Sequence, residues 1–235
     1  MPRLICSSFP AWTPDGRRVA YASGAPGAFA LVTRDWDGSG KPDTLIAKTR
    51  SISQIVFSPR GRLFVLTVGV RPGNSDIYVG SLDSATKVQP FLSSPASEAA
   101  ASISPDGRWL AYTSNETGIF QAYVRPFPGV GGRFQVSTAG GTEPLWARDN
   151  RRLYYRATGQ LMVATLTLAG EPAVVRRDTV FEDSFAPEGA RQAYDISPNG
   201  KTFVMGRLIG EDSRPLVVLN WFDELRDRMQ LATKK

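Results

Sequence analysis

Histidine is absent from these 235 residues, and cysteine occurs once, at Cys6. The missing imidazole removes Ser-His-Asp and Cys-His catalysis, His-ligated metal and the commonest general base. Carboxylates, lysines and tyrosines remain for an enzyme, but most hydrolytic designs are gone. One cysteine cannot close an internal disulfide, so the redox compartment stays open. No run of 18 or more apolar residues exists, so no segment reads as a membrane span. The start, Met1-Pro2-Arg3-Leu4-Ile5-Cys6, has no apolar stretch of signal-peptide length. Taken as written, the chain carries no export address and would stay in the cytoplasm.

What is present is ordinary globular composition, 42% hydrophobic and 21% charged, with a net charge of +6. Many arginines stand beside presumptive turns: Arg17, Arg18, Arg62, Arg108, Arg151 and Arg152. They are spread along the chain rather than gathered. A nucleic-acid surface wants clustered charge with interleaved aromatics, so a solvated basic rim is the better reading and no nucleic acid is expected.

The strongest pattern is a repeated phrase: an apolar residue, Ser or Thr, Pro, Asp, Gly. It reads Trp12-Thr13-Pro14-Asp15-Gly16, then Phe57-Ser58-Pro59-Arg60-Gly61, then Ile103-Ser104-Pro105-Asp106-Gly107. A worn copy stands at Trp146-Ala147-Arg148-Asp149-Asn150, and a last one at Ile196-Ser197-Pro198-Asn199-Gly200. The Pro column recurs at intervals of 45, 46, 43 and 50 residues. A period of about 40–50 residues marks a propeller or solenoid.

Aligned on that column, Val19, Phe64, Leu110, Leu153 and Phe203 stand five residues after it. Tyr21, Leu66, Tyr112, Tyr155 and Met205 stand seven after it. Two positions two residues apart share one face of a strand. The phrase itself is a turn: Pro presets φ, Asp bonds its own backbone, and Gly accepts positive φ. Each copy is therefore a β-hairpin, and two further strands fit in each interval. They are predicted at 29–33 and 44–46, at 76–79 and 88–92, at 120–124 and 134–137, and at 160–166 and 173–176. Four short antiparallel strands per interval make one propeller blade.

The fold class is thus all-β, a β-propeller of about five visible four-stranded blades in one domain spanning 1–235. The blades run roughly 9–49, 53–94, 98–138, 142–181 and 190–221. A short amphipathic helix is predicted at 222–231 on Phe222, Leu225 and Met229. The fifth blade has a third strand at 216–221 and no fourth. Arg3 to Ser7 are candidates for a strand that closes the ring. Trp12, Phe57 and Trp146 are expected in the core between blades.

Several segments imitate chemistry. Asp35-Trp36-Asp37-Gly38-Ser39-Gly40 resembles the front of a calcium loop, but its twelfth position is Ile46 and strands flank it. Gly38-Ser39-Gly40-Lys41 is followed by Pro42, where a phosphate loop needs Ser or Thr. Asp15, Asp106 and Asp149 already have turn-forming work. No cofactor and no metal are expected. The residues five before the Pro column are Phe9, Gln54, Ala100, Glu143 and Ala193, near the mouth of the central channel. Glu98 and Arg191 lie two residues earlier in their copies. Gln54, Glu98, Glu143 and Arg191 are the candidate binding residues.

Ser104-Pro105-Asp106-Gly107-Arg108-Trp109-Leu110-Ala111-Tyr112 resembles the repeat of TolB-like propellers, the WD-like Pro-Asp class. Tyr123-Val124-Arg125-Pro126-Phe127-Pro128-Gly129, Val136-Ser137-Thr138 and 140–146 resemble the C-terminal propeller of bacterial transmembrane Ser/Thr protein kinases. Leu216 to Leu225 resembles the tail of those kinases. The resemblance implies a propeller that follows a cytoplasmic kinase domain and a membrane helix, usually with six blades. It implies a non-catalytic, periplasmic or extracytoplasmic sensor that binds a protein or small ligand. No kinase glycine loop, H-R-D loop or D-F-G occurs in this chain, so phosphotransfer does not follow from it. Two other readings stand beside this one. A substrate-gating propeller of a serine peptidase would need a hydrolase domain, whereas 37 residues follow Pro198. A propeller enzyme would need converging acids at the channel mouth.

Overall fold

A hydroxyl relay explains why the repeated phrase carries Ser or Thr two residues before Asp. The computed structural model describes residues 6–25, 28–49, 51–71, 74–129, 131–169, 171–184, 192–197 and 199–205. In the third copy the Ser104 hydroxyl donates to Asp106 Oδ1 at 2.6 Å and accepts the Trp109 N–H at 3.0 Å. Thr13 does the same with Asp15 and the Arg18 N–H, and Ser197 with Asn199 and the Thr202 N–H. The Gly107 N–H closes the turn on the Ser104 carbonyl at 2.8 Å, with φ at 70°. That angle is cheap for glycine, which has no Cβ to clash. The worn copy reaches the same region with Asn150 at φ 57°, and Asn tolerates it better than most side chains.

These turns join successive strands into sheets in strict chain order. The first sheet is β1 (Cys6–Trp12), β2 (Arg18–Ala25), β3 (Ala28–Asp35) and β4 (Asp43–Thr49). The second is β5 (Ser51–Phe57), β6 (Leu63–Arg71), β7 (Asn74–Ser81) and β8 (Ser84–Leu92). The third is β9 (Glu98–Ile103), β10 (Trp109–Ser114), β11 (Gln121–Pro126) and β12 (Phe134–Gln135). The fourth is β13 (Thr142–Trp146), β14 (Arg152–Ala157), β15 (Gln160–Thr167) and β16 (Ala173–Glu182). β17 (Tyr194–Ile196) and β18 (Phe203–Met205) form a two-stranded sheet. All pairings are antiparallel. The fold is all-β, with no helix among the described residues. The strand expected at 216–221 and the helix expected at 222–231 lie outside them. Of the candidate closing segment, 3–5 lie outside the described residues as well, which leaves Cys6 and Ser7. They pair with Gly24 and Ser23 as the start of β1, the inner strand of the first sheet.

The sheets stack through the three apolar columns of the repeat. Phe57, Phe64 and Leu66 pack on Ala20, Ala22 and Leu31 of the sheet before theirs. Ile103, Leu110 and Tyr112 pack on Val65 and Ile77. Trp146, Leu153 and Tyr155 pack on Ala111, Ala122 and Val124. Ile196, Phe203 and Met205 pack on Tyr154 and Leu161. Large residues on one face thus meet smaller ones on the next, which fills space without strain. Each buried side chain of the size of Leu110 is worth about 1.5–3 kcal/mol on transfer from water.

The first sheet differs. Its members of the same columns are Trp12, Val19 and Tyr21, and none joins a buried cluster. Trp12 is 59% exposed. It was expected in the core between blades, and the correction has a geometric reason. These columns face the preceding sheet, and no described sheet precedes the first.

Candidate functional site

The inner strands β1, β5, β9, β13 and β17 all run from an entering loop to a Pro-column turn, so they define two ends. Each of the first four carries a bulge. Register shifts fall between Ser8 and Ala11, between Ile52 and Gln54, between Ala99 and Ser102, and between Thr142 and Leu145. Phe9, Ala100 and Glu143 sit there at φ 59°, 48° and 52°. Non-glycine residues hold such angles at a cost of order 1–3 kcal/mol. A bulge bends a strand and re-aims a side chain.

Gln54 uses that aim to clamp the next inner strand. Its Nε2–H donates to the Ala101 carbonyl at 3.0 Å, and its Oε1 accepts the Ala101 N–H at 2.7 Å. Glu143 does the equivalent one sheet pair later. It is fully buried, and its Oε2 accepts the Ala193 N–H at 2.9 Å. Its Oε1 lies 3.5 Å from Nη1 of Arg156, whose Nε and Nη2 donate to Asp183 at 2.5 and 2.9 Å. Its carbonyl accepts the Tyr194 hydroxyl at 2.9 Å and the Gln192 amide at 3.0 Å. Burial pushes that tyrosine hydroxyl well above its usual range. Gln54 and Glu143 therefore tie one inner strand to the next, and they turn toward different neighbours rather than one shared point.

Glu98 opens β9 at the entering end. It is 4% exposed and takes the Ser94 hydroxyl on Oε1 at 2.5 Å, while Oε2 has no hydrogen bond among the described residues. Burial raises its pKa, and the negative charges of Asp76 and Glu116 raise it further. Asp76 is likewise buried and accepts the Ser93 hydroxyl at 2.6 Å. Arg191 lies outside the described residues. Among those described, no three His, Cys, Asp or Glu side chains gather as metal ligands. The Asp35–Gly40 segment is a turn between β3 and β4, closed by the Gly38 N–H on the Asp35 carbonyl at 2.9 Å.

Sequence reasoning missed the apolar tip of the β10–β11 hairpin. Phe120 reads as the first residue of a strand, yet β11 starts at Gln121 and leaves Ile119 55% and Phe120 38% exposed. The turn before them closes on Gly118 at φ 92°. Asn115 Oδ1 accepts the Ser97 N–H at 2.8 Å and holds the tip against the loop that leads to Glu98. Asn115-Glu116-Thr117-Gly118 is a recognisable turn signal that follows the end of β10 at Ser114 and marks the tip. Two large apolar side chains are thus left in water on a hairpin tip at the entering end.

The comparisons with known proteins bear on this architecture. A structure of TolB from Acinetobacter baumannii superposes with a TM-score of 0.64 at 22% identity, covering 88% of this chain and 50% of that one. A putative TolB from Agrobacterium tumefaciens gives 0.62 at 20% identity, covering 87% and 70%. A Mycobacterium tuberculosis puromycin-hydrolyzing peptidase gives 0.58 at 14% identity, covering 81% and 34%. At these identities the likeness shows the fold alone. This chain spans about half the length of the Acinetobacter protein. No curated protein matches it. The TolB beta propeller domain, however, matches residues 4–219, so the chain belongs to the TolB beta propeller domain family.

Proposed function

We propose that this propeller is a non-catalytic interaction module, binding a protein or small ligand at the ends of its central channel. The observation that carries the reading is the rim at the entering end. Inner strands are locked to one another by Gln54 and Glu143, and the turn that carries the exposed Ile119–Phe120 tip is tied through Asn115 to the Ser97 N–H, in the loop that leads to β9. A rigid scaffold that presents apolar side chains on loops is how binding sites are commonly built. Glu98 is the binding residue that this reading keeps, and Arg191 stays a candidate on its sequence position; Gln54 and Glu143 hold the scaffold.

The likeness of 123–129, 136–138, 140–146 and 216–225 to the C-terminal propeller and tail of bacterial transmembrane Ser/Thr kinases supports a finer reading. This is the sensor end of such a receptor, lying outside the cytoplasmic membrane. No helix among the described residues is long and apolar enough to cross a membrane, and this reading puts the anchor between the kinase domain and the propeller. The peptidase among the structural neighbours supports a second reading, a propeller that gates access to a hydrolase. A propeller enzyme with a channel-mouth site would need three free converging carboxylates, whereas Glu116, the third near Asp76 and Glu98, is paired with Arg133 at 2.6 Å.

Sequencing the reading frame that contains this chain separates these readings. A kinase domain and a membrane helix in frame upstream is the expected result. A hydrolase domain with its own Ser and His in frame would replace the receptor reading with the gating one.

A further inference from the structure

A cavity of about 230 Å³ opens at the other end of the inner strands, among the turns. It is lined by Pro59 of the second sheet's turn, Pro105 of the third, Arg148 of the fourth, and Asp195 and Ile196 of β17. Four successive sheets touch it, and the second and fifth are not neighbours, so it lies on the central axis. Its Pro59, Pro105 and Arg148 occupy one and the same column of the repeat.

Arg148 is the anomaly of that column. The other four copies have Pro14, Pro59, Pro105 and Pro198. Proline at a compatible turn position stabilises by about 0.4–1 kcal/mol through the unfolded chain, and the fourth copy forgoes it. The same copy also replaces glycine with Asn150, but there the structure shows a return. Asn150 Oδ1 accepts the Asp106 N–H at 2.8 Å and joins two turns. No such return exists for Arg148, whose side chain makes no hydrogen bond or ion pair with a described residue. Arg152, from the same turn, is already spent on Asp149 at 2.6 Å. Departures from a local rule concentrate at functional sites. Asp195 also lines the cavity and is exposed; its one bond is from the Ile196 N–H to Oδ1 at 2.7 Å, and it pairs with no described cation.

We propose that this cavity binds a small zwitterion with an apolar body, of the class of an apolar α-amino acid or dipeptide. The carboxylate meets Arg148, whose planar guanidinium suits it in bidentate geometry. The ammonium meets Asp195. The apolar body lies against Pro59, Ile103, Pro105 and Ile196. The volume sits just under the range of about 300–1,000 Å³ common for drug-sized ligands, so the occupant is small. The cavity is at the opposite end from Gln54, Glu98 and Glu143 and does not depend on the reading of that end.

Titration calorimetry on the full chain with leucine, leucinamide, N-acetylleucine and Leu-Leu tests this. Leucine or Leu-Leu should bind, and blocking either charge should weaken leucine by about tenfold, equivalent to 1.4 kcal/mol. Whichever of the two binds tighter supports the zwitterion and names its source. Arg148→Gln should erase the preference for leucine over leucinamide. Asp195→Asn should erase the preference over N-acetylleucine. Arg148→Pro restores the repeat, so it should fold with an equal or higher Tm and still lose binding. The proposal fails if none of the four probes binds, if the blocked forms bind as well as leucine, or if Arg148→Pro binds leucine unchanged.

Discussion

Glu98 keeps a carboxylate oxygen without a hydrogen bond among the described residues, and its titration follows from its burial. Burial, then the charges of Asp76 and Glu116, hold its carboxyl above the ordinary 4.5. A raised carboxyl favours the protonated folded state, so its stabilising contribution is complete below pH 4.5 and drains as pH rises through the raised value. Glu98→Gln keeps the shape and removes the charge. Thermal melts should show the variant close to the parent near pH 4 and progressively more stable toward pH 8; a gap that narrows with rising pH would contradict this. Glu143 predicts the opposite sign at neutral pH. Glu143→Ala leaves Arg156 less fully compensated and frees the Ala193 N–H, and breaking a buried pair costs about 3–5 kcal/mol. Urea unfolding should register that loss, and a change under about 1 kcal/mol, the scale of a surface pair, would contradict the buried network. The sequence marks Gln54 and Glu143 as one column, but not their task. Their partners, Ala101 and Ala193, are 47 and 50 residues away and are reached only through the bulge.

At the scale of elements, the turn phrase is the best-read part of the chain. Burial alone would raise the carboxyl of Asp106, but the hydrogen bonds from the Ser104 hydroxyl and from Arg108 outweigh it and hold it below 3.8. A lowered carboxyl contributes stability above the ordinary value and loses it as pH falls through the lowered one. Asp106→Asn keeps the acceptor, as Asn199 does in the last copy. Acid titration by circular dichroism should show the variant losing less stability than the parent below about pH 4; an unchanged acid limb would count against the relay. Strand ends were harder to read. β16 runs ten residues to Glu182, well past the predicted Arg176. It is the outer strand, mostly exposed, so charged residues interrupt the alternation that marks half-buried strands, and such charges also blunt an edge. β12 shrinks to two residues, Phe134–Gln135, because Val136 and Ser137 turn to bond Ala122 instead.

At the scale of the molecule, the period of the repeat makes the architecture legible, because each blade must bury its columns against a neighbour. The fate of Trp12 is not legible in the same way. It occupies the same column as Trp146, and only the stacking order leaves it exposed at 59% while Trp146 is buried at 5%. The chemistry of the cavity is equally a property of the whole, since Pro59, Pro105, Arg148 and Asp195 come from different copies of the repeat. Site-specific photocrosslinking in the native host tests most directly whether contacts lie at the channel ends. A crosslinker in place of Ile119, at the rim, is compared with one in place of Val175, 67% exposed on the outer strand β16. The interaction-module account predicts a discrete adduct from position 119 and none from 175. An adduct from 175 with none from 119 would contradict it.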